Sequence, residues 1–190
     1  MNAVLLRRWT RQEYDHMVEA GVFSPNDHVE LLDGEILAMT PQGSAHATAI
    51  GLVEAALRPL FSAGHHLRTQ RPFALDDKSE PEPDVAVVPG GLREYRNAHP
   101  TTAVLLVEVS DTTLLYDRTH KAAAYARAGI PEYWVVNLPD GVLEVYRNPH
   151  PAPGTPLGWA YQTTRVVRAS ETITPLTAPN AQILIRDLLP

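Results

Sequence analysis

Hydrophobic and polar positions recur with two different periods along the chain, and each change of period marks an element. Thr10-Arg11-Gln12-Glu13 is a capping-box pattern, in which the Thr10 hydroxyl accepts from the Glu13 amide while the Glu13 side chain reaches back. It predicts a short helix that closes at Gly21, a residue suited to the left-handed position after a helix. Between His28 and Met39 two apolar-rich runs flank Asp33-Gly34, a strong short-range hairpin signal. Ser44 opens a second helix, with Ile50, Val53, Leu57, Leu60 and Phe61 at helical spacing, and Pro59 ends or kinks it. Arg68 to Leu75 predicts a strand.

Val85 to Val88 predicts a short buried strand, entered through Pro81-Glu82-Pro83-Asp84 and broken by Gly90-Gly91. Leu92 to Pro100 follows as a loop or a short helix. Ala103 to Val109 is almost wholly aliphatic, the mark of a strand covered on both faces. Asp117 to Ala128 is an alanine-rich helix ended by Gly129. Glu132–Asn137 and Val142–Tyr146 flank Leu-Pro-Asp-Gly and predict a second hairpin. Asn148 to Gly158 carries Pro149, Pro151, Pro153 and Pro156 and reads as an exposed loop or arm. Two strand-like runs, Tyr161–Val167 and Ile183–Ile185, complete the pattern. This order points to an α/β or α+β fold, with a mixed sheet holding helices on at least one face. With no internal repeat and no long linker, the 190 residues are expected to form one domain.

Composition narrows the classes. Hydrophobic residues make up 44% and charged residues 20%, ordinary globular usage. Sixteen Lys and Arg against 22 Asp and Glu give a formal charge of −6, which excludes a globally basic nucleic-acid coat protein. A local basic face built from Arg68, Arg71, Arg93, Arg96, Arg118 and Arg127 stays open. The absence of cysteine removes disulfide frameworks, Cys-ligated zinc and thiol catalysis, and it fits a reducing compartment. The first apolar run is too short for a signal peptide, and no stretch approaches the ~18 apolar residues of a membrane span. A soluble cytoplasmic protein is the expectation.

The chemistry centres on Glu108. Period-two alternation puts Val104, Leu106, Glu108 and Ser110 on one face of the most apolar strand. An ionised carboxylate there costs several kcal/mol unless a cation or hydrogen-bond donors receive it. Asp84 enters the other apolar strand, and the two strands are expected to be neighbours. Two carboxylates at the ends of adjacent buried strands make an oxygen site suited to Mg²⁺ or Mn²⁺. The alternatives are a structural carboxylate paired with an Arg or with backbone amides for Glu108, and a plain turn leading into a strand for Asp84. Lys121, one turn into the following helix, can orient water or stabilise phosphorane charge; its alternative is a surface pair with Asp117. Glu30 is a third candidate acid, and His46 and Ser110 are candidate substrate contacts. His65-His66 point to opposite sides of a strand and do not suit a shared metal. Signatures for phosphate-cradling loops, zinc proteases, serine hydrolases and dinucleotide folds are missing.

Pro83-Asp84, followed two dozen residues on by Glu108-Val109-Ser110, resembles the P-D…(D/E)-x-K core of restriction-endonuclease-like nucleases. From about Trp9 to Leu188 the chain resembles the Uma2 family of that superfamily. The resemblance lies in Val29–Glu35, Pro83–Val85, Leu106–Ser110, Asp117 with Lys121, and Tyr125–Val136. It implies a central mixed sheet flanked by helices and a Mg²⁺-dependent endonuclease. Asp84, Glu108 and the Val109 carbonyl would be metal ligands, Glu30 an additional acid and Lys121 the motif lysine. Ser110 stands where the wider superfamily places lysine, so the lysine must come from the next helix. The implied partner is nucleic acid, DNA foremost. A homodimer is a further expectation, with Trp134–Val136 and Val142–Tyr146 as contact runs. The rival readings are a non-catalytic binding member and a hydrolase of small phosphoesters.

Overall fold

The computed structural model describes residues 6–61 and 64–190. The capping box forms as read: Thr10 Oγ1 accepts from the Glu13 amide at 3.2 Å, and the Glu13 carboxylate accepts from the Thr10 amide at 2.9 Å. Helix α1 then runs Arg11–Glu19. Strands β1, Val29–Leu32, and β2, Glu35–Ala38, pair antiparallel about Asp33 and Gly34. Both turn residues take positive φ, 49° and 78°, as a two-residue hairpin matching the twist of its strands requires. The turn is clamped from outside, since the Trp9 amide donates to the Gly34 carbonyl at 2.9 Å and the Gly34 amide to Lys78 at 2.7 Å.

Helix α2, Ser44–Leu57, leads to a six-stranded sheet ordered β3-β4-β5-β6-β7-β8. These strands are β3 His65–Thr69, β4 Val85–Pro89, β5 Leu105–Ser110, β6 Glu132–Asn137, β7 Val142–Pro151 and β8 Trp159–Arg168. All neighbours are antiparallel except β5 and β6, whose parallel pairing requires a crossover. That crossover is helical: α3 Leu114–Tyr116, a π-turn over Asp117–Lys121, and α4 Ala122–Arg127. Alternation along the strands divides the core. Leu105, Val107, Val109, Trp134 and Val136 pack on one face with Ala49, Ile50 and Val53 of α2. Leu106, Tyr133, Val135 and Tyr146 pack on the other with Ala122, Tyr125 and Ala126. A separate two-stranded pair, β9 Thr172–Ile173 and β10 Ile183–Leu184, lies near the end of the chain. The fold is mixed α+β. Among the described residues no helix is long and apolar enough to cross a membrane.

Several readings are corrected. The strand expected over Arg68–Leu75 starts earlier and ends at Thr69, because Gln70 turns into the left-handed region (φ 49°) and Pro72 offers no amide. The proline-rich segment 148–158 is no free arm: β7 runs through Pro151, with Pro149 paired opposite Tyr161. Asn148 takes φ 61° within that strand, which leaves only the stretch after Pro151 to turn the chain. Val104 precedes β5 and packs on the α2 side, away from the face of Glu108. The helix placed at Asp117 begins three residues earlier, at Leu114. Trp134–Val136, Leu143 and Val145 are buried at the centre of the sheet, so they have no surface to offer a second copy.

Glu80, 6% exposed, is tied to the hairpin by reciprocal main-chain bonds with Leu31. Its Oε2 accepts no hydrogen bond among the described residues and lies 3.8 Å from Arg11 Nη1. Burial, reinforced by Asp15, pushes its pKa from the ordinary 4.5 up to about 7. The stability tied to this proton is therefore fully present below about 4.5 and is lost as pH rises through about 7.

Two stability outcomes follow. Glu80→Gln is expected to stabilise the fold at pH 8 relative to pH 5, by roughly 1–3 kcal/mol; urea titrations showing the same difference from wild type at both pH values would contradict this. Gly34→Ala places a Cβ 2.7 Å from Arg8 Cβ at a positive φ. It should lower the urea midpoint by the equivalent of about 1–2 kcal/mol or more, and an unchanged midpoint would show that the turn is not held as described.

Candidate active site

The register of the sheet brings the two predicted acids together. Val85 of β4 lies opposite Val107 of β5, so Asp84, just before β4, falls across from Glu108. The two interlock through main chain and side chain. Asp84 Oδ2 accepts from the Val109 amide at 2.8 Å, and the Asp84 amide points to Glu108 Oε2 at 3.4 Å. Gln70, in the left-handed turn after β3, donates from Nε2 to Asp84 Oδ1 at 3.2 Å. His46, from the first turn of α2, sets Nε2 3.4 Å from the same carboxylate. Asp84 and Glu108 are 6% and 4% exposed.

The crossover helix supplies the rest. Lys121 Nζ lies 3.1 Å from Glu108 Oε1 and 3.2 Å from Glu30 Oε1. One helical turn later, the Tyr125 hydroxyl donates to Glu108 Oε1 at 2.6 Å. Glu30 is anchored in turn, its Oε2 accepting from the Glu82 amide at 3.0 Å. The alternative for Lys121, a surface pair with Asp117, does not form, because both side chains are buried. Asp117 Oδ2 instead accepts from Ser110 Oγ at 2.7 Å and Thr113 Oγ1 at 2.6 Å. Ser110 therefore sits behind the carboxylates with its hydroxyl engaged, and not on the cavity wall. The π-turn lies between these groups: the Ala122 amide reaches the Asp117 carbonyl, which also accepts from the Tyr133 hydroxyl at 3.1 Å. Such insertions recur where a helix must re-aim functional side chains.

These groups surround a cavity of about 280 Å³ lined by Glu30, His46, Asp84, Glu108, Asp117 and Lys121, with Leu37, Met39 and Tyr116 as its apolar wall. Four carboxyl groups face one lysine and one histidine. Burial pushes the Glu108 carboxyl well above the usual carboxylate range, with Lys121 as the main opposing influence. Burial also works against the Lys121 charge, yet Glu108, Glu30 and Asp117 hold it cationic. The Asp117 carboxyl is raised by burial. His46 is raised by its hydrogen bond to Asp84.

The donor set is hard oxygen with surplus negative charge. Among the described residues no three Asp, Glu or His side chains converge as a ready-made cation cage. Mg²⁺ does not need one, since it keeps several waters and is typically bound through one or two carboxylates. Asp84 and Glu108 fit that mode, as do the preferences of Mn²⁺.

The six arginines considered for a basic face do not line this cavity. Arg127 pairs with Asp33 at 2.8 Å and Asp76 at 2.7 Å, and Arg118 grips Glu144. Sequence reasoning missed Tyr125, Asp117 and Gln70. Tyr125 and Asp117 carry a signal, each standing four residues from Lys121 on the same helical run. Gln70 carries none, because a bend after β3 brings it in.

The family model Uma2, described as "Putative restriction endonuclease", matches residues 11–186. Among solved structures the chain is similar to "a putative nuclease belonging to DUF820" from Anabaena variabilis ATCC 29413, with a TM-score of 0.62 and 17% identity over 92% of this chain and 95% of that one. A second structure, the type IIG restriction endonuclease BpuSI, overlaps 60% of this chain and 12% of its own at a TM-score of 0.37 and 17% identity. No curated protein matches the sequence. With its sheet, its crossover and nearly its whole length lying within the residues matched by one family model, the chain belongs to the Uma2 family.

Proposed function

We propose that this protein is a metal-dependent endonuclease that hydrolyses phosphodiester bonds in nucleic acid, DNA foremost. The observation that carries the reading is the interlocked pair of Asp84, at the entrance to β4, and Glu108 of the adjacent β5, with Lys121 on Oε1 of Glu108. Family membership supports it. Asp84, Glu108 and the Val109 carbonyl would hold Mg²⁺ or Mn²⁺, which when bound supplies Lewis acidity to a phosphate oxygen and lowers the pKa of water.

The remaining roles belong to the chain. Tyr125 and Lys121 both hold Glu108 Oε1, which leaves Oε2 turned toward Asp84. Glu30 fixes the Lys121 ammonium against the cavity wall. From there Lys121 can offset the negative charge that develops on phosphorus-bound oxygens and orient the attacking water. Glu30 thus acts through Lys121, and His46 through Asp84.

One observation favours a second reading. The cavity has four carboxyl groups and no arginine, which is unfavourable for a polyanion without a bound cation. A binding-only member or a hydrolase of small phosphoesters would then remain.

The deciding assay is cleavage of supercoiled plasmid and of single-stranded DNA with Mg²⁺, with Mn²⁺ and with chelator. Wild-type protein should cut only with metal, and Glu108→Ala should abolish cutting; full metal-dependent cleavage by Glu108→Ala would remove the proposal. Tyr125→Phe removes one hydroxyl from behind Glu108. It should cost about 10–100-fold in activity or metal affinity, seen as a higher Mg²⁺ requirement with near-unchanged thermal unfolding. An unchanged Mg²⁺ titration would show that the hydroxyl does not position Glu108.

A further inference from the structure

One feature of the cavity rim is not used by the chemistry above. Tyr116, part of the cavity wall, stacks flat on His120, with ring centroids 4.9 Å apart and planes 9° from parallel. His120 is exposed, and its ring is steadied by Thr119, whose Oγ1 lies 3.1 Å from Nδ1. The two rings form a short ladder that starts at the cavity wall and ends in solvent. Leu115 beside them is 76% exposed.

We infer that the Tyr116–His120 stack is a base platform and that the site takes single-stranded nucleic acid, an inference that rests on the nuclease reading. Electrostatics favours this over a duplex. Duplex affinity comes largely from cations that neutralise phosphates. Here Lys121 is engaged by Glu30 and Glu108, and the neighbouring Arg118 and Arg127 by Glu144, Asp33 and Asp76. A site with few free cations needs another source of affinity, and aromatic faces supply it to bases that are not already stacked in a duplex. His120 is an exposed residue, so its ring is accessible to such a base.

A second cavity of about 490 Å³ shares Met39, Thr40 and Gln42 with the first and reaches Gln70 and Glu82. A strand laid on His120 and passing Asp84 and Glu108 would have this second cavity as its continuation, along the uncharged Gln42 and Gln70 and the acid Glu82. Stacking is tolerant of sequence, so this arrangement would read strandedness rather than a base order.

The test is fluorescence anisotropy, with Ca²⁺ in place of Mg²⁺ to offset the cavity carboxylates, using a labelled oligodeoxynucleotide, the matching oligoribonucleotide and the matching DNA duplex. Wild-type protein should bind at least one single strand more tightly than the duplex, and the two single-stranded arms separate DNA from RNA. His120→Ala, at an exposed position, should weaken single-strand binding roughly tenfold while leaving duplex binding unchanged, and His120→Phe should restore it. Single-strand affinity unaffected by His120→Ala, tighter binding of the duplex, or no binding of any of the three would overturn the inference. Cleavage measured in parallel separates the two proposals. Metal-dependent cutting that ignores His120 removes the platform and keeps the nuclease. His120-dependent binding without any cutting removes the nuclease and keeps the platform.

Discussion

A carboxylate placed inside an aliphatic sheet has to be met by donors from every direction, and the architecture around Glu108 is organised by that requirement. The strand that carries it is buried at all six positions, so water cannot solvate the charge. Lys121 and Tyr125 come from the crossover helix, the Asp84 amide from the neighbouring strand, and Glu30 from the hairpin to hold Lys121 in place. Three separate parts of the chain are thus referenced to one side chain. Loss of a charged partner there would leave an uncompensated buried charge, which is among the most destabilising single changes known.

Glu108 is not alone in being buried, and the comparison is instructive. Glu132 of β6 is 0% exposed and accepts from Arg147 Nε and Trp134 Nε1, both at 2.9 Å, and from the Leu176 amide at 2.8 Å. Glu144 of β7 is met by Arg118, Asn137 and Tyr146; burial alone would raise its carboxyl, yet these bonds hold it below the usual value. Both acids are matched by a guanidinium and directed away from the cavity. What sets Glu108 apart is therefore its company: a second acid across the strand pair, a lysine shared with a third, and a cavity in front.

Much of this was legible in the residues. The capping box, the Asp33-Gly34 turn and the adjacency of the two apolar strands depend on local chemistry or on nearest neighbours, and these survive into the structure. The pairing of Asp84 with Glu108 followed from that adjacency, and Lys121 from its distance along the helix. What escaped depends on distant chain. Prolines within 148–158 suggested a loose arm, yet β8 pairs across Pro149 and Pro151 and draws the segment into the sheet. Gln70 reaches Asp84 through a left-handed residue that no pattern announces. Arginines that looked available are claimed by acids far away in sequence, as Arg127 is by Asp33.

The π-turn has a consequence beyond aiming Lys121. An α-helix advances about 100° per residue, so one residue accommodated between Asp117 and Ala122 shifts the phase of everything before it against everything after it. The segment up to Tyr116 faces the cavity rim and solvent, and the segment from Ala122 onward faces the Tyr133 side of the core. The slip uncouples the two. Substitutions on the Tyr116 side of the slip need not rotate the residues that keep Glu108 in place, and the helix thereby joins a rim segment to the electrostatic anchor without locking one to the other.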